Sequence, residues 1–234
     1  MKRSGAVATV AKPKAPKPAR KALSAEGRVR EIVKRLEKAY PNAKCALTHR
    51  SAFELLVATI LSAQCTDTRV NMVTPGLFRK FPTPEDFAAL RQEVLEAEIR
   101  STGFFRNKSK SIIGAAKKIV LEYGGKVPQT MEELLTLPGV ARKTANVVLG
   151  TAFGKATGVV VDTHVLRIAR RLDLSAANSP EKIEQDLMRL IPQEQWINFS
   201  HQLIFHGRQC CIARKPKCSV CPLEDLCYSE DKTI

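Results

Sequence analysis

Four cysteines near the end of the sequence have the spacing needed to bind a metal. They follow the pattern C-x6-C-x2-C-x5-C and are Cys211, Cys218, Cys221 and Cys227. Thiolates this close together can ligate one metal centre, either zinc or an iron–sulfur cluster. Disulfides are a third use. However, the first 22 residues lack the continuous apolar segment of a secretory signal, so we expect free thiols.

The cysteine spacing alone does not choose between zinc and an iron–sulfur cluster. A structural zinc site usually pairs two short C-x2–4-C knuckles, whereas only Cys218 and Cys221 form one here. The pattern also differs from that of ferredoxins. Use of Cys210 would change the first spacing, so we interpret it as a spare thiol. We interpret Cys45 and Cys65 as ordinary buried thiols.

Positive charge is in excess, and part of it lies between the clustered cysteines. The chain has 38 Lys and Arg against 23 Asp and Glu, a formal net charge of +15. Residues 1–22 are rich in Lys, Pro and Ala and contain no acid, which predicts a disordered basic tail. Arg214, Lys215 and Lys217 lie between the first two clustered cysteines. This charge favours nucleic acid as a partner, although a soluble basic protein is the plain alternative.

A second candidate anion site is the segment LPGVARKTANVVLG at residues 137–150. Pro138 ends one predicted helix, and Gly139 permits a sharp turn before the next. The free N–H groups at the start of a helix bind anions, and a DNA phosphate fits such a site without base specificity. The alternative is an ordinary corner between helices, with Arg142 and Lys143 in solvent.

Helical spacing of apolar residues runs through most of the chain. The patterns predict helices over 24–39, 53–61, 112–121, 131–137, 142–153, 163–172, 180–191 and 195–207, with another helix starting at Pro84. The apolar run at 159–161 is too short to build a sheet, so the predicted fold class is all-α. No apolar run reaches the roughly 20 residues of a membrane span, and we expect no membrane association.

Four segments together resemble the endonuclease III family of DNA glycosylases. They are LSAQCTD at 61–67, the segment at 137–150, VDTHVLR at 161–167, and HGR at 206–208 followed by the cysteines. The resemblance covers about residues 24–228. It implies two helical domains flanking a DNA-binding groove and a [4Fe–4S] cluster on the four cysteines. A six-helix barrel with a helix-hairpin-helix at about 130–153 would span 45–155. The cluster domain would combine 23–44 with 156–234.

The same resemblance implies Lys143 as the catalytic nucleophile and Asp162 as its carboxylate partner. An amine that attacks C1′ of a nucleotide forms a Schiff base, and elimination from it cuts the strand 3′ to the lesion. A nearby carboxylate stabilises the positive charge that develops on the sugar. The lysine therefore predicts glycosylase and AP lyase activity together. From the residues alone, a helix cap is the alternative role for Asp162.

The resemblance further implies side chains that enter the duplex when a base is flipped out. Gln64 would fill the vacated space, and Phe104 would be a second wedge where the family often has leucine. We expect one of Phe104 and Phe105 to be a core residue. His164 would lie near the flipped lesion, with a structural histidine as the alternative.

Phosphate contacts are expected at the hairpin and at the cysteine loop. Gly139, Ala141 and Arg142 would hold one phosphate, and the three basic residues at 214, 215 and 217 would meet others. Ala141 stands where the hairpin motif commonly has glycine. Because its N–H is retained, we expect a helical φ there and only a modest effect on phosphate binding.

The expected function is that of a monomeric base excision repair enzyme. It would remove oxidised pyrimidines from double-stranded DNA and cleave abasic sites. A mismatch-specific adenine, thymine or uracil glycosylase of the same fold remains an alternative, as does a non-catalytic DNA-binding protein with a structural metal. We expect a cytoplasmic, nucleoid-associated protein if the source is bacterial, and a nuclear or mitochondrial one if it is eukaryotic.

Overall fold

The computed structural model describes residues 23–233, and the predicted basic tail at 1–22 lies outside them. The described residues form eleven α-helices and no strand, so the predicted all-α class is confirmed. The helices are α1 (Ala25–Ala39), α2 (Ala52–Leu61), α3 (Asp67–Lys80), α4 (Pro84–Ala89), α5 (Gln92–Ile99), α6 (Phe105–Tyr123), α7 (Met131–Leu135), α8 (Arg142–Phe153), α9 (Thr163–Arg171), α10 (Pro180–Leu190) and α11 (Trp196–Gln209). None of these helices is long and apolar enough to cross a membrane.

Local side chains set where several helices begin. The Ser24 hydroxyl accepts the N–H of Gly27 at 3.1 Å and caps α1. At α4, the Thr83 hydroxyl accepts the N–H of Asp86, and the Asp86 carboxylate accepts the N–H of Thr83 in return. This reciprocal capping box, followed by Pro84 at the first helical position, satisfies N–H groups that a helix start leaves free.

Buried apolar residues form two separate cores. The first core collects residues from Leu47 to Leu149, and α2 lies inside it with every residue from Phe53 to Leu61 buried. The second core combines α1 with residues from Val159 to Leu226. Helix α1 therefore packs against α11, far away in sequence. This division supports the expected domain boundaries, which stay a prediction.

The hairpin between α7 and α8 is packed tightly against α6. Gly139 has a φ of +78°, and a Cβ added there would lie 2.6 Å from Ser111 Cβ. The expectation of a helical φ at Ala141 was wrong, since its φ of −95° and ψ of 169° are extended. Ala141 is the residue that caps α8, and its carbonyl already accepts the N–H of Ala145 at 3.0 Å.

A segment without regular secondary structure leads from α8 into α9. Val159, Val160 and Val161 are buried along it. The Val160 N–H is satisfied by the Ser200 hydroxyl at 3.0 Å rather than by a neighbouring strand. The segment ends at Asp162, so the second core fixes the position of this carboxylate.

Candidate active site and metal centre

A cleft of about 700 Å³ lies between the two cores. The first core contributes Gln64 and Lys143 to its wall, and the second contributes Asp162, His164 and Arg208. Four residues that the sequence singled out, at 64, 143, 162 and 164, thus face one space.

Lys143 is exposed in this cleft. It is the second residue of α8, directly after the hairpin turn. Its ammonium makes no hydrogen bond or ion pair with any residue between 23 and 233. The amine is therefore available to a ligand that enters the cleft.

Asp162 caps α9 and also faces the cleft. Its Oδ1 accepts the N–H groups of His164 at 2.8 Å and Val165 at 2.9 Å. Within the described part of the chain, Oδ2 accepts no hydrogen bond. One oxygen thus fixes the carboxylate, and the other is directed to chemistry or solvent. The helix-cap alternative and the catalytic assignment are compatible in this geometry.

His164 lies beside Asp162 and packs against α11. If Gly207 of that helix carried a Cβ, this atom would lie 2.8 Å from the Cβ of His164. Arg167 Nη2 lies 3.3 Å from Nδ1, and the ring also forms a hydrogen bond with the backbone of Gly207. Burial lowers the pKa of His164, and the charges of Arg167 and Arg208 add to this against the opposing effect of Asp162. The lowered pKa favours the neutral ring near pH 7, which can form hydrogen bonds but carries no charge.

The two expected wedge residues lie on turns that meet at a second, smaller cleft. Gln64 has a φ of 52° and Phe104 a φ of 48°, and both are exposed. They line this cleft together with Gly139 of the hairpin. Phe105, by contrast, packs against the first core, so the expected division between the two phenylalanines agrees with the structure.

Arg142 is held by an acidic residue that sequence reasoning missed. Its Nε donates to Glu184 Oε2 at 2.8 Å, and the Glu184 side chain is 6% exposed. Asn146 Nδ2 donates to the other carboxylate oxygen at 2.8 Å. Arg142 therefore links α8 to α10, while its remaining N–H groups stay available for the predicted phosphate contact. No local pattern marks Glu184, because its partners are distant in sequence.

Asp67 and Arg208 form an ion pair across the cleft that sequence reasoning also missed. Arg208 Nη2 lies 2.6 Å from Asp67 Oδ2, and both side chains are partly exposed. Each residue belongs to a segment quoted above, LSAQCTD and HGR. The signal was therefore present in the sequence, but the pairing depends on the fold.

The four clustered cysteines line one cavity in the second core. An Arg171 Nη1–H donates to Cys211 Sγ at 3.3 Å, and its other N–H groups hold the carbonyls of Ile212 and Ala213. Burial raises the pKa of Cys221 to about 12 and also raises the pKa of Cys227. Thiolates in this cavity need compensating positive charge, which the iron of a cluster supplies. The donor set therefore fits an iron–sulfur centre.

Two further ligand-type side chains lie in the cavity wall. His206 Nε2 is 3.7 Å from Cys221 Sγ, and its Nδ1 is 3.0 Å from the Tyr40 hydroxyl. Cys210 completes a group with His206 and Cys221 whose ligand atoms all lie within 4.8 Å. Cys210, interpreted above as a spare thiol, is thus buried beside the expected ligands.

The basic loop is presented on the surface. Arg214, Lys215 and Lys217 are exposed, whereas Pro216 between them is buried. Lys215 has a φ of 54°, and the Lys217 N–H is held by the Cys210 carbonyl at 3.0 Å. The cations therefore project from a loop that is fixed at its centre.

Comparison with protein families first defines the class. Residues 57–193 match the model of the HhH-GPD superfamily base excision DNA repair proteins. Residues 211–227 match the iron–sulfur binding domain of endonuclease III, a span that begins at Cys211 and ends at Cys227.

Comparison with individual relatives identifies the family within this class. The chain is 58% identical to endonuclease III of Synechocystis over 90% of this chain and 96% of that protein. It is 48% identical to the Bacillus subtilis protein, over 82% and 88%, and 41% identical to the Escherichia coli K12 protein, over 86% and 95%. A solved structure titled as a non-covalent endonuclease III–DNA complex superposes with a TM-score of 0.84 at 45% identity, covering 88% of this chain and 96% of the other.

The chain belongs to the endonuclease III family. It is a base excision repair enzyme, a DNA glycosylase and AP lyase, as the sequence predicted. The predicted [4Fe–4S] cofactor is likewise confirmed, and this selects iron–sulfur over the zinc and disulfide alternatives.

Proposed function

We propose that this chain excises oxidised pyrimidines from duplex DNA through a Schiff base on Lys143. The observation that carries the proposal is the pairing of an unpartnered amine, Lys143, with the free Oδ2 of Asp162 in one cleft. The relatives named endonuclease III, one of them solved with DNA, support duplex DNA as the ligand.

The reaction uses these two side chains in sequence. The Lys143 amine attacks C1′, the N-glycosidic bond breaks, and the damaged base leaves as an anion that takes a proton from water. Asp162 stabilises the positive charge on the sugar as that bond lengthens, and its free oxygen accepts the proton that the amine loses. Asp162 then returns that proton to O4′ as the C1′–O4′ bond breaks, and the product is an iminium between lysine and the opened sugar.

Strand cleavage follows from the same iminium. The iminium acidifies the protons at C2′, one of them is removed, and the C3′–O bond breaks with the 3′ phosphate as leaving group. Water then hydrolyses the imine and regenerates the amine. Lysine as nucleophile thus accounts for both activities, because attack by water would release the base and leave the strand intact.

The remaining contacts hold DNA around the cleft. We assign the space of the flipped base to Gln64 and Phe104, and one phosphate to the N–H groups at Gly139 and Ala141 with Arg142 beside them. The neutral His164 ring would hydrogen-bond the flipped base. The domains would be 45–155, and 23–44 with 156–234, with the DNA groove between them.

The cluster would be held by the four cysteines that line its cavity, at 211, 218, 221 and 227. When bound, it supplies a covalent cross-link that fixes the loop at 212–217. Arg214, Lys215 and Lys217 then meet phosphates. Glycosidic cleavage needs no electron, so this role is sufficient for the reaction. We further propose that the protein acts as a monomer, and that it acts at the nucleoid, since the relatives named above are bacterial.

Borohydride trapping on a duplex that contains thymine glycol tests the proposal. The unaltered protein should give a covalent adduct, and Lys143→Gln should give neither adduct nor strand cleavage while still binding DNA. Lys34→Gln, which removes an exposed charge from α1, is the matched control and should trap normally. Strand cleavage by the Lys143 variant would overturn the assignment. Release of free base without an adduct would indicate a monofunctional glycosylase instead.

A further inference from the structure

Lys108, on α6, is a buried lysine outside the catalytic pair. The residue is 5% exposed, and its ammonium donates to the carbonyls of Leu61 and Thr102, each at 2.8 Å. It makes no ion pair with a carboxylate within residues 23–233. Burial lowers the pKa of this amine. A buried cation without a carboxylate partner lowers the stability of the fold. Its presence therefore indicates that the two carbonyl contacts have a specific role.

The first carbonyl lies at the end of α2. Leu61 is the last residue of that helix, where carbonyls lack a partner within the helix and carry partial negative charge. Three residues later the chain reaches Gln64, with its φ of 52°. The ammonium therefore fixes the base of the turn that presents the first expected wedge.

The second carbonyl lies at the base of the other expected wedge. Thr102 ends a short 3₁₀ turn, and its hydroxyl donates to the Ile99 carbonyl at 2.8 Å. Gly103 and Phe104 follow, both with positive φ. The Lys108 backbone N–H also donates to the Phe104 carbonyl at 3.1 Å. That bond belongs to the first turn of α6, so the Lys108 side chain acts on this turn through the Thr102 carbonyl.

We propose that Lys108 is a positioning residue that sets the spacing between the Gln64 and Phe104 turns, so that both side chains enter the duplex as one unit. Lys108, Gln64 and Phe104 line the same small cleft, which is where the gap left by a flipped nucleotide would lie. The inference rests on the wedge roles given under the proposed function. It adds a physical link between them that neither turn supplies alone.

The test compares two substrates. In a thymine glycol duplex the damaged base must be flipped out of a stacked pair, whereas a preformed abasic site has no base to flip. Lys108→Met removes the donors and keeps an unbranched side chain. Its kcat/KM on thymine glycol duplex should fall about tenfold or more because the wedges are misplaced, while lyase activity on a preformed abasic site stays within about threefold. Lys110→Met, on the same helix but exposed, should change neither. If K108M folds poorly, Lys108→Gln, which keeps one donor group, should show the same selectivity to a smaller degree.

A double-mutant cycle separates positioning from general stabilisation. Gln64→Ala and Phe104→Ala should be coupled by about threefold or more in kcat/KM on the thymine glycol duplex when Lys108 is present. The coupling should disappear in the K108M background. Equal losses on both substrates, or coupling that persists without the ammonium, would overturn the inference and leave the wedge roles intact. If neither alanine variant lowers activity in the unaltered protein, the wedge roles fail first, and the inference fails with them.

Discussion

Glu184 and Arg142 form an ion pair that joins the two cores beside the cleft lined by Lys143 and Asp162, with 2.8 Å between Oε2 and Nε. Through Asn146 the same carboxylate reaches the loop after α8, because the Thr157 hydroxyl donates to Asn146 Oδ1 at 3.0 Å. One buried carboxylate thereby braces the helix that carries Lys143 against the segment that leads to Asp162.

Replacement of Glu184 by glutamine should destabilise the protein and slow base excision. The carboxylate accepts one hydrogen bond from Arg142 and one from Asn146, whereas an amide has one acceptor oxygen and no charge. The free energy of unfolding should therefore fall by about 1–3 kcal/mol. Denaturant unfolding measures this loss. Glu181→Gln, an exposed change on the same helix, should cost less. Equal losses in the two variants would contradict a bracing role for Glu184.

Gly139→Ala should destabilise the hairpin. The positive φ is strained for any residue with a Cβ, and the new methyl group would meet Ser111. We expect a loss of about 1–3 kcal/mol in the free energy of unfolding, accompanied by weaker DNA binding. Gly76→Ala is the matched control, because it lies in α3 with open space around it. It should instead stabilise by about 0.5–1 kcal/mol.

Cysteine variants test which thiols hold the cluster. Cys218→Ser should lose most of the iron and labile sulfide, since it removes an expected ligand. Cys210→Ser should keep the full iron content despite its position in the cavity wall. Iron and sulfide analysis of purified protein distinguishes the two. Loss of iron from the Cys210 variant would show that the first ligand is Cys210 rather than Cys211.

Lys217→Ala should weaken DNA binding without changing its sequence dependence. A phosphate contact releases about one counterion, so the slope of log K against log salt should decrease by about one. Fluorescence anisotropy over a range of salt concentrations measures the slope. Lys34→Ala removes the same charge from α1 and should leave the slope unaltered. An unchanged slope in the Lys217 variant would place this lysine outside the DNA interface.

Acid should destabilise the protein partly through His164. Its pKa is lowered in the folded protein, so below about pH 6.5 the unfolded chain binds a proton that the folded ring does not. The free energy of unfolding therefore decreases as the pH falls through this range. In His164→Gln this contribution disappears. Below about pH 6.5 the free energy of unfolding of the variant should therefore decrease less than that of the unaltered protein. Parallel stability curves between about pH 5 and pH 8 would exclude this contribution.

Short-range signals predicted much of this fold correctly. Ser24 and the Thr83–Pro84 pair mark helix starts because caps act within one turn, and the structure has helices there. The segment from Phe53 to Leu61 is apolar nearly all round, which is typical of a buried helix, and α2 is buried there. Helix α3 was not predicted, because Pro75 and Gly76 lie inside it and both argue against a helix interior.

Features that depend on distant contacts could not be predicted from the sequence. Lys108 carries no local signal of burial, yet it is buried and its ammonium donates to the carbonyl of Leu61, 47 residues away. Glu184 carries no local signal of its role, yet it meets partners 42 and 38 residues away. The positive φ values at Gln64 and Phe104 had no glycine or asparagine to signal them.

The route of the chain through the second core has a consequence for synthesis on the ribosome. Helix α1 emerges early, but within the described residues the buried apolar side chains on its face belong to a core whose other buried members run from Val159 to Leu226. At about 5–20 residues per second, that face waits some tens of seconds for its partners while the first core can already close. The newly made protein must therefore keep an amphipathic helix in water until translation is almost complete. During that interval the apolar face of α1 is a surface that a chaperone can bind.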